Sequence, residues 1–223
     1  MPVSLPEFVV ENVQYDDTLG PFSKEWKTYQ IPEKRTYTDN LMAFGFVFDF
    51  KTNELRKHFV NYDRWAKDFS SKTSTWVRVG VFSGKSGPKE DMNQWAKVWL
   101  PENGYYRRYK YSKTAEEFGL EKYQVPDILD EKTQKPIRHT NDYGDTFLSR
   151  DSDGNITTVI KCSNYNKYEV LICKCYLQVP DLNTRLTLTF YRHHLEHWQS
   201  IQQLAEQHLR SWIVNPEHIS NAQ

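Results

Sequence analysis

The stretch "LMAFGFVFDF" at residues 41–50 constrains the chain more than any other. Phe44, Phe46, Phe48 and Phe50 recur at every second position. Side chains two apart in a strand share a face, so the segment presents a row of phenyl rings that water cannot be left to cover. A sheet with at least one packed layer follows from these residues alone.

What comes next in the chain supplies candidates for that layer. "TNELRKHFVNYDRWAKDF" sets Leu55, Phe59, Tyr62, Trp65, Ala66 and Phe69 at helical spacing behind a Thr52 or Asn53 cap, which predicts an amphipathic helix over 52–69 with Phe59 on its apolar side. "TWVRVGVF" reads as a second strand running into the turn "SGKSGP", after which Pro88 opens a predicted helix to Trp99 with Met92, Trp95 and Trp99 on one side. "NGYYRRYKY" has the composition of another strand, and Ser112 is placed to cap a short helix "KTAEEF" that Gly119 would stop. Residues 125–143, rich in Pro, Asp, Lys and Asn, show no period and read as a long surface excursion.

The last third carries the plainest signals. "DTFLSRDSDGNITTVIKC" reads as two strands joined across Asp153-Gly154, a dipeptide suited to the positive backbone angles of a tight turn. "VLICKCYLQV" and "RLTLTFYR" continue the meander, the latter turning Leu186, Leu188 and Phe190 inward, and Leu195, Trp198, Ile201, Leu204, Ala205 and Trp212 then form the stripe of a closing helix. The predicted fold class is α+β, antiparallel sheet with packed helices and a long C-terminal helix. With 223 residues the chain suits one domain over 1–223, with a subdivision at 1–112 and 113–223 as the alternative.

Charge excludes more than it suggests. Lys and Arg number 29, as do Asp and Glu, so bulk electrostatics draws the chain to neither nucleic acid nor an anionic membrane. No apolar run approaches the ~20 residues of a spanning helix, and "MPVSLPEFVVENVQ" has neither the basic nor the long apolar region of a signal peptide.

Catalytic vocabulary is sparse. In "RHHLEHW", His193, His194, Glu196 and His197 fit the H-x-x-E-H pattern in which two histidines on one helical face hold zinc and a carboxylate activates water. Here the motif straddles the end of a predicted strand and the first turn of the last helix, so a helix start is the expected reading, and no metal or cofactor is expected. "GVFSGKS" is one residue short of a phosphate loop between Gly80 and Gly84, and Gly87-Pro88 breaks the helix that should follow. "DSDGN" lacks the ligand alternation of a calcium loop, and no G-x-S-x-G elbow is present. No catalytic residue is assigned, and the chain is expected not to be an enzyme.

Cys162, Cys173 and Cys175 are the only cysteines. A bond from Cys162 to Cys173 or Cys175 would close a hairpin in an oxidising compartment, while three free thiols would suit the cytoplasm. Tyr105, Tyr106, Arg107, Arg108 and Tyr109 alternate aromatic and cationic side chains, the residue types that anchor protein interfaces. They are the predicted partner-binding residues.

Phe147, Gly154, the Cys162-Ser163 pair, a further Cys, and Leu195, Trp198 and Ile201 on the last helix, in that order, resemble the immunity-protein family that protects bacteria from type VI secreted phospholipases of the third lipase class. The resemblance runs from Phe118 to Trp212, with a weaker echo at "MAFGFVFDF". It implies a non-enzymatic protein that binds a cognate phospholipase effector and blocks its active site or membrane access. It also implies a periplasmic lipoprotein, anchored at the inner or outer membrane through a segment absent from this sequence, with Cys162 in a disulfide. A small-ligand or carbohydrate-binding domain built on Tyr105, Tyr106 and Tyr109 is the alternative, and a zinc hydrolase at the HHLEH motif the third reading.

Overall fold

The computed structural model describes residues 3–19, 24, 35, 39–69, 71–84, 91–100, 111–125, 128–133, 136–137, 144–164 and 171–214. Strands β1 (Glu11–Tyr15), β2 (Leu41–Asp49), β3 (Glu54–Leu55) and β4 (Trp76–Phe82) pair antiparallel in the first half of the chain. In the second half, β5 (Ser112–Glu117) and β6 (Leu120–Gln124) form a hairpin. After β7 (Ile128–Leu129) and β8 (Pro136–Ile137), which pair only with each other, come β9 (Asp145–Arg150), β10 (Ile156–Cys162), β11 (Ile172–Val179) and β12 (Thr184–Tyr191).

The two meanders meet at one ladder. β12 pairs with β4, from Arg185 opposite Phe82 to Thr189 opposite Arg78, giving a ten-stranded sheet in the order β1-β2-β4-β12-β11-β10-β9-β6-β5 with β3 beside β2. Strands from either side of residue 112 thus hydrogen-bond into one sheet. The fold is α+β, mostly antiparallel sheet with three helices.

One face of the sheet carries the main core. Phe44, Phe46 and Phe48 lie in register with Val81, Val79 and Val77, which are followed across β12 and β11 by Leu186, Leu188, Leu177 and Cys175. Helix α3 (Trp198–Ser211) covers this face with Trp198, Ile201, Ala205 and Leu209, and Trp212 packs edge-on against Phe46 at 4.8 Å between ring centroids. Trp198 Nε1 donates to the Phe118 carbonyl at 3.0 Å, satisfying the indole N–H. Each fully buried Phe, Leu or Ile is worth roughly 1.5–3 kcal/mol, so the predicted aromatic row and helical stripe together carry the core.

On the opposite face sit two short helices. α1 (Tyr62–Phe69) lays Trp65 and Phe69 over Val47 and Trp76, and α2 (Met92–Trp99) lays Met92 and Ala96 over Leu148 and Val159. α2 begins at Met92 and not at Pro88, because Asp91 is extended and its carboxylate accepts the Gln94 N–H at 2.8 Å.

Three further expectations are corrected. "KTAEEF" is strand β5, because Phe118 (φ +55°) and Gly119 (φ +75°) make a two-residue turn that pairs it with β6, and the cross-strand pairs Lys113–Glu121 and Lys122–Glu117 hold it there. In the β9–β10 connection only Gly154 takes a positive φ, while Asp151 Oδ1 accepts from the backbone of Asp153 and Asn155, so the loop is wider than a two-residue turn. The helix predicted over 52–69 begins only at Tyr62; residues 54–55 pair with β2 instead.

Cys162 faces Cys173 across the β10–β11 ladder, and the two are joined in a disulfide. Cys175 is free and buried, with burial pushing its thiol pKa up.

Candidate functional site

Residues 54–61, a short strand and a loop in place of the predicted helix, carry a distinctive surface among the described residues. Between β3 and α1 the chain makes a tight loop at Lys57–Asn61, and the buried Asn61 side chain organises it. Asn61 Oδ1 accepts the Lys57 N–H at 2.7 Å, and Nδ2 donates to Glu54 Oε1 at 2.6 Å and to the Leu55 carbonyl at 3.0 Å. The Lys57 carbonyl in turn accepts the N–H groups of Val60 and Asn61. These bonds hold the Glu54 carboxyl below the usual carboxylate range, with Asn61 the first cause and Arg64 the second.

A second loop is pinned to the first. The His58 N–H donates to the Phe8 carbonyl at 2.9 Å, while Val9 inserts into the main core and fixes the loop's footing. Phe8 has φ +62°, a left-handed backbone that costs a bulky side chain on the order of 1 kcal/mol, and it uses that conformation to meet the Phe59 ring edge-on at 5.2 Å. Beneath them Arg56 is buried, paired with Glu11 at 2.6 Å and stacked over Trp65 at 4.8 Å.

The result is a rigid aromatic knob standing in water. Phe59 is 76% exposed, Val60 75%, Phe8 51% and Tyr62 37%, with the His58 ring between Phe59 and Tyr62. Adjacent exposed apolar side chains on a loop braced by hydrogen bonds make a candidate binding surface, since folding gains little from them. Sequence periodicity placed Phe59 in a helix stripe; only the Lys57–Asn61 bonding shows it turned outward.

Tyr105, Tyr106, Arg107, Arg108 and Tyr109 lie outside the described residues, as do Lys85–Pro88 of the Gly-rich turn. Arg192–His197 of the HHLEH segment form a 3-10 helix that leads into α3. At three residues per turn, His193 and His197 diverge by roughly 120° and do not share a face as an α-helical zinc pair would. His194 is buried, its Nε2 within 2.9 Å of the Ser74 carbonyl and its ring against Phe50, and burial holds its pKa below the ordinary imidazole value. Among the described residues no three His, Cys, Asp or Glu side chains are grouped to hold a metal.

A cavity of about 660 Å³ opens near β1 and β2, lined by Tyr15, Arg35, Asp39, Phe44 and Leu182 among others. Its guanidinium is already engaged: Arg35 pairs with Asp17 at 3.0 Å, approaches Asp39 at 3.7 Å and stacks on Tyr15. That leaves little unspent charge to orient a small ligand.

No protein-family model matches the chain, and no curated protein sequence matches it. Among solved structures, it is similar to an immunity protein of the type IV secretion system of Stenotrophomonas maltophilia, at a TM-score of 0.59 and 13% identity over 78% of this chain and 83% of that one. The two proteins share a fold. Sequence reasoning reached that architecture through strand and helix patterns, but it missed the knob, whose only local signal was Asn61, a residue type that ends and turns chains, set inside an otherwise helical pattern.

Proposed function

We propose that this chain is a non-enzymatic immunity protein that binds a cognate secreted toxin in the periplasm and blocks it. The observation that carries the reading is the aromatic knob, Phe8, Phe59, Val60 and Tyr62, presented in water on a fold shared with a secretion-system immunity protein. An inhibitor needs a preformed hot spot and no catalytic centre, and rigid aromatic side chains lose little freedom on docking. The Cys162–Cys173 disulfide suits an oxidising compartment.

The finer identity of the toxin rests on the sequence resemblance, which points to a type VI phospholipase of the third lipase class. The structural neighbour serves a type IV system, and a secreted effector is what the two have in common. Tyr105, Tyr106, Arg107, Arg108 and Tyr109 are proposed as further contacts, and membrane association as arising only through a lipid anchor.

The test is inhibition. Purified protein, titrated into a lipid-hydrolysis assay of the effector encoded beside it, is expected to abolish phospholipase activity near one equivalent. Hydrolysis unchanged at tenfold excess sinks the lipase assignment, and an absence of any complex between the two proteins sinks the immunity reading as well.

A further inference from the structure

The sheet face that carries α1 and α2 holds a second surface. Here four neighbouring strands each contribute one cation: Arg78 on β4, Arg185 on β12, Lys174 on β11 and Lys161 on β10. Thr189 is in register with Arg78 on one side and Lys174 on the other, and Lys174 lies directly opposite Lys161. These four strands place no Asp or Glu on this face.

Such an arrangement does not arise from the needs of folding. Like charges directly across a ladder repel, and in a chain of zero net charge the carboxylates to neutralise them are plentiful elsewhere. Among the described residues, none of the four cations has a carboxylate within ion-pair distance. Three of them are held by aromatic faces instead: Arg78 over Phe69 at 5.3 Å, Arg185 over Trp95 at 4.7 Å and Phe82 at 5.0 Å, and Lys161 over Trp99 at 5.3 Å and Tyr111 at 5.0 Å. Lys161 also donates to Tyr111 Oη at 2.8 Å. Burial lowers its pKa to about 8, with the Asp145 charge opposing the shift. Arg78 and Lys174 stay exposed.

The helices make the cationic floor a trough. α1 packs over β2 and β4 through Val47 and Trp76, and α2 over β9 to β11 through Leu148, Val159 and Tyr176. Between the helices Thr187 and Thr189 of β12 stay half-buried, with the exposed Arg78 and Lys174 on either side of Thr189. An extended segment can lie along β12 between the helices, whereas a flat bilayer would meet α1 and α2 first.

We infer that this trough docks a carboxylate-rich segment of the toxin, whose Asp and Glu side chains pair with Arg78, Lys174 and Lys161. The identity of the partner rests on the immunity reading above; the charge chemistry does not. One helix links the trough to the knob, since α1 starts at Tyr62 in the knob and ends some 11 Å further on at Phe69, against Arg78.

The experiment compares the full chain with its Arg78→Glu/Lys174→Glu variant, both positions being exposed, after circular dichroism has shown that the variant is folded. The probe is labelled poly-L-glutamate, read by fluorescence anisotropy at low and high salt, with poly-L-lysine and a DNA duplex as comparisons. Wild-type protein is expected to bind polyglutamate, more weakly as salt rises, and the variant to lose about tenfold or more. No binding by the wild type, equal binding by the variant, or tighter binding of the duplex overturns the inference. Both proteins are then assayed for toxin inhibition. If both neutralise equally, the trough is not used and the inference falls while the immunity reading stands. If the wild type binds polyglutamate but leaves the toxin active, the immunity reading falls and the anionic-peptide site stands.

Discussion

Replacing Cys162 and Cys173 together by Ala separates what their covalent bond contributes from what their packing contributes. The bond links residues 11 apart in sequence, and the chain-entropy relation puts its effect on the unfolded state at about 3 kcal/mol. Both side chains are fully buried in the main core, so losing each sulfur adds a cavity penalty of about 1 kcal/mol. The double variant should therefore be destabilised by about 5 kcal/mol. Cys175→Ala supplies the control, since Cys175 is equally buried on the same face of β11 but unbonded, and its loss should cost only about 1 kcal/mol. Urea unfolding followed by fluorescence measures both, and the slope m should rise in the double variant as the unfolded chain expands. If the double variant loses no more than twice what Cys175→Ala loses, the bond contributes nothing and the case for an oxidising compartment is withdrawn.

Other outcomes follow from single sites. Asn61→Ala removes the acceptor of the Lys57 N–H and the donors to Glu54 and Leu55, so it should cost about 1–3 kcal/mol and raise hydrogen exchange at residues 57–61. Phe118→Asn puts the favoured Asn-Gly pair into the β5–β6 turn, where Phe118 is left-handed and 54% exposed, and should raise Tm by a few degrees in calorimetry. Burial holds the pKa values of His194 and His208 below 6.5 in the folded protein. The unfolded chain therefore binds more protons as pH falls through that value, and stability is full above about pH 6.5 and lost progressively below it. Urea midpoints at pH 7.5 and 5.5 should show this decline, and His208→Gln should reduce it; a flat profile contradicts the lowered pKa values of the buried His194 and half-buried His208.

How much of this was legible in the sequence varied with the range of the forces involved. Period-two rows such as Phe44–Phe46–Phe48 and Leu186–Leu188–Phe190, and the stripe Trp198–Ile201–Ala205, are written locally and were readable, because burial on one face selects them directly. β5 was not, since Ala and Glu favour helix and only pairing with β6, set by the Phe118-Gly119 turn, overrides them. The knob was hidden for a related reason: Phe59 has helical spacing to Tyr62 and Trp65, and the hydrogen bonds that turn it outward come from a side chain, Asn61, whose bonding no period records. The trough was invisible because its four cations are scattered between residues 78 and 185, and only the β4–β12 ladder, which closes the two meanders on each other, brings them side by side.

The proposal that the aromatic knob is a toxin-binding hot spot is tested most directly by calorimetric titration of the secreted effector that the chain is proposed to neutralise. Phe59→Ser with Val60→Ser should leave folding stability nearly unchanged, both side chains being about three-quarters exposed. The wild type is expected to bind at one-to-one stoichiometry, and the variant about 30-fold or more weaker, the loss of at least 2 kcal/mol that defines a hot spot. Equal affinity of wild type and variant, or no binding by the wild type, would contradict the account.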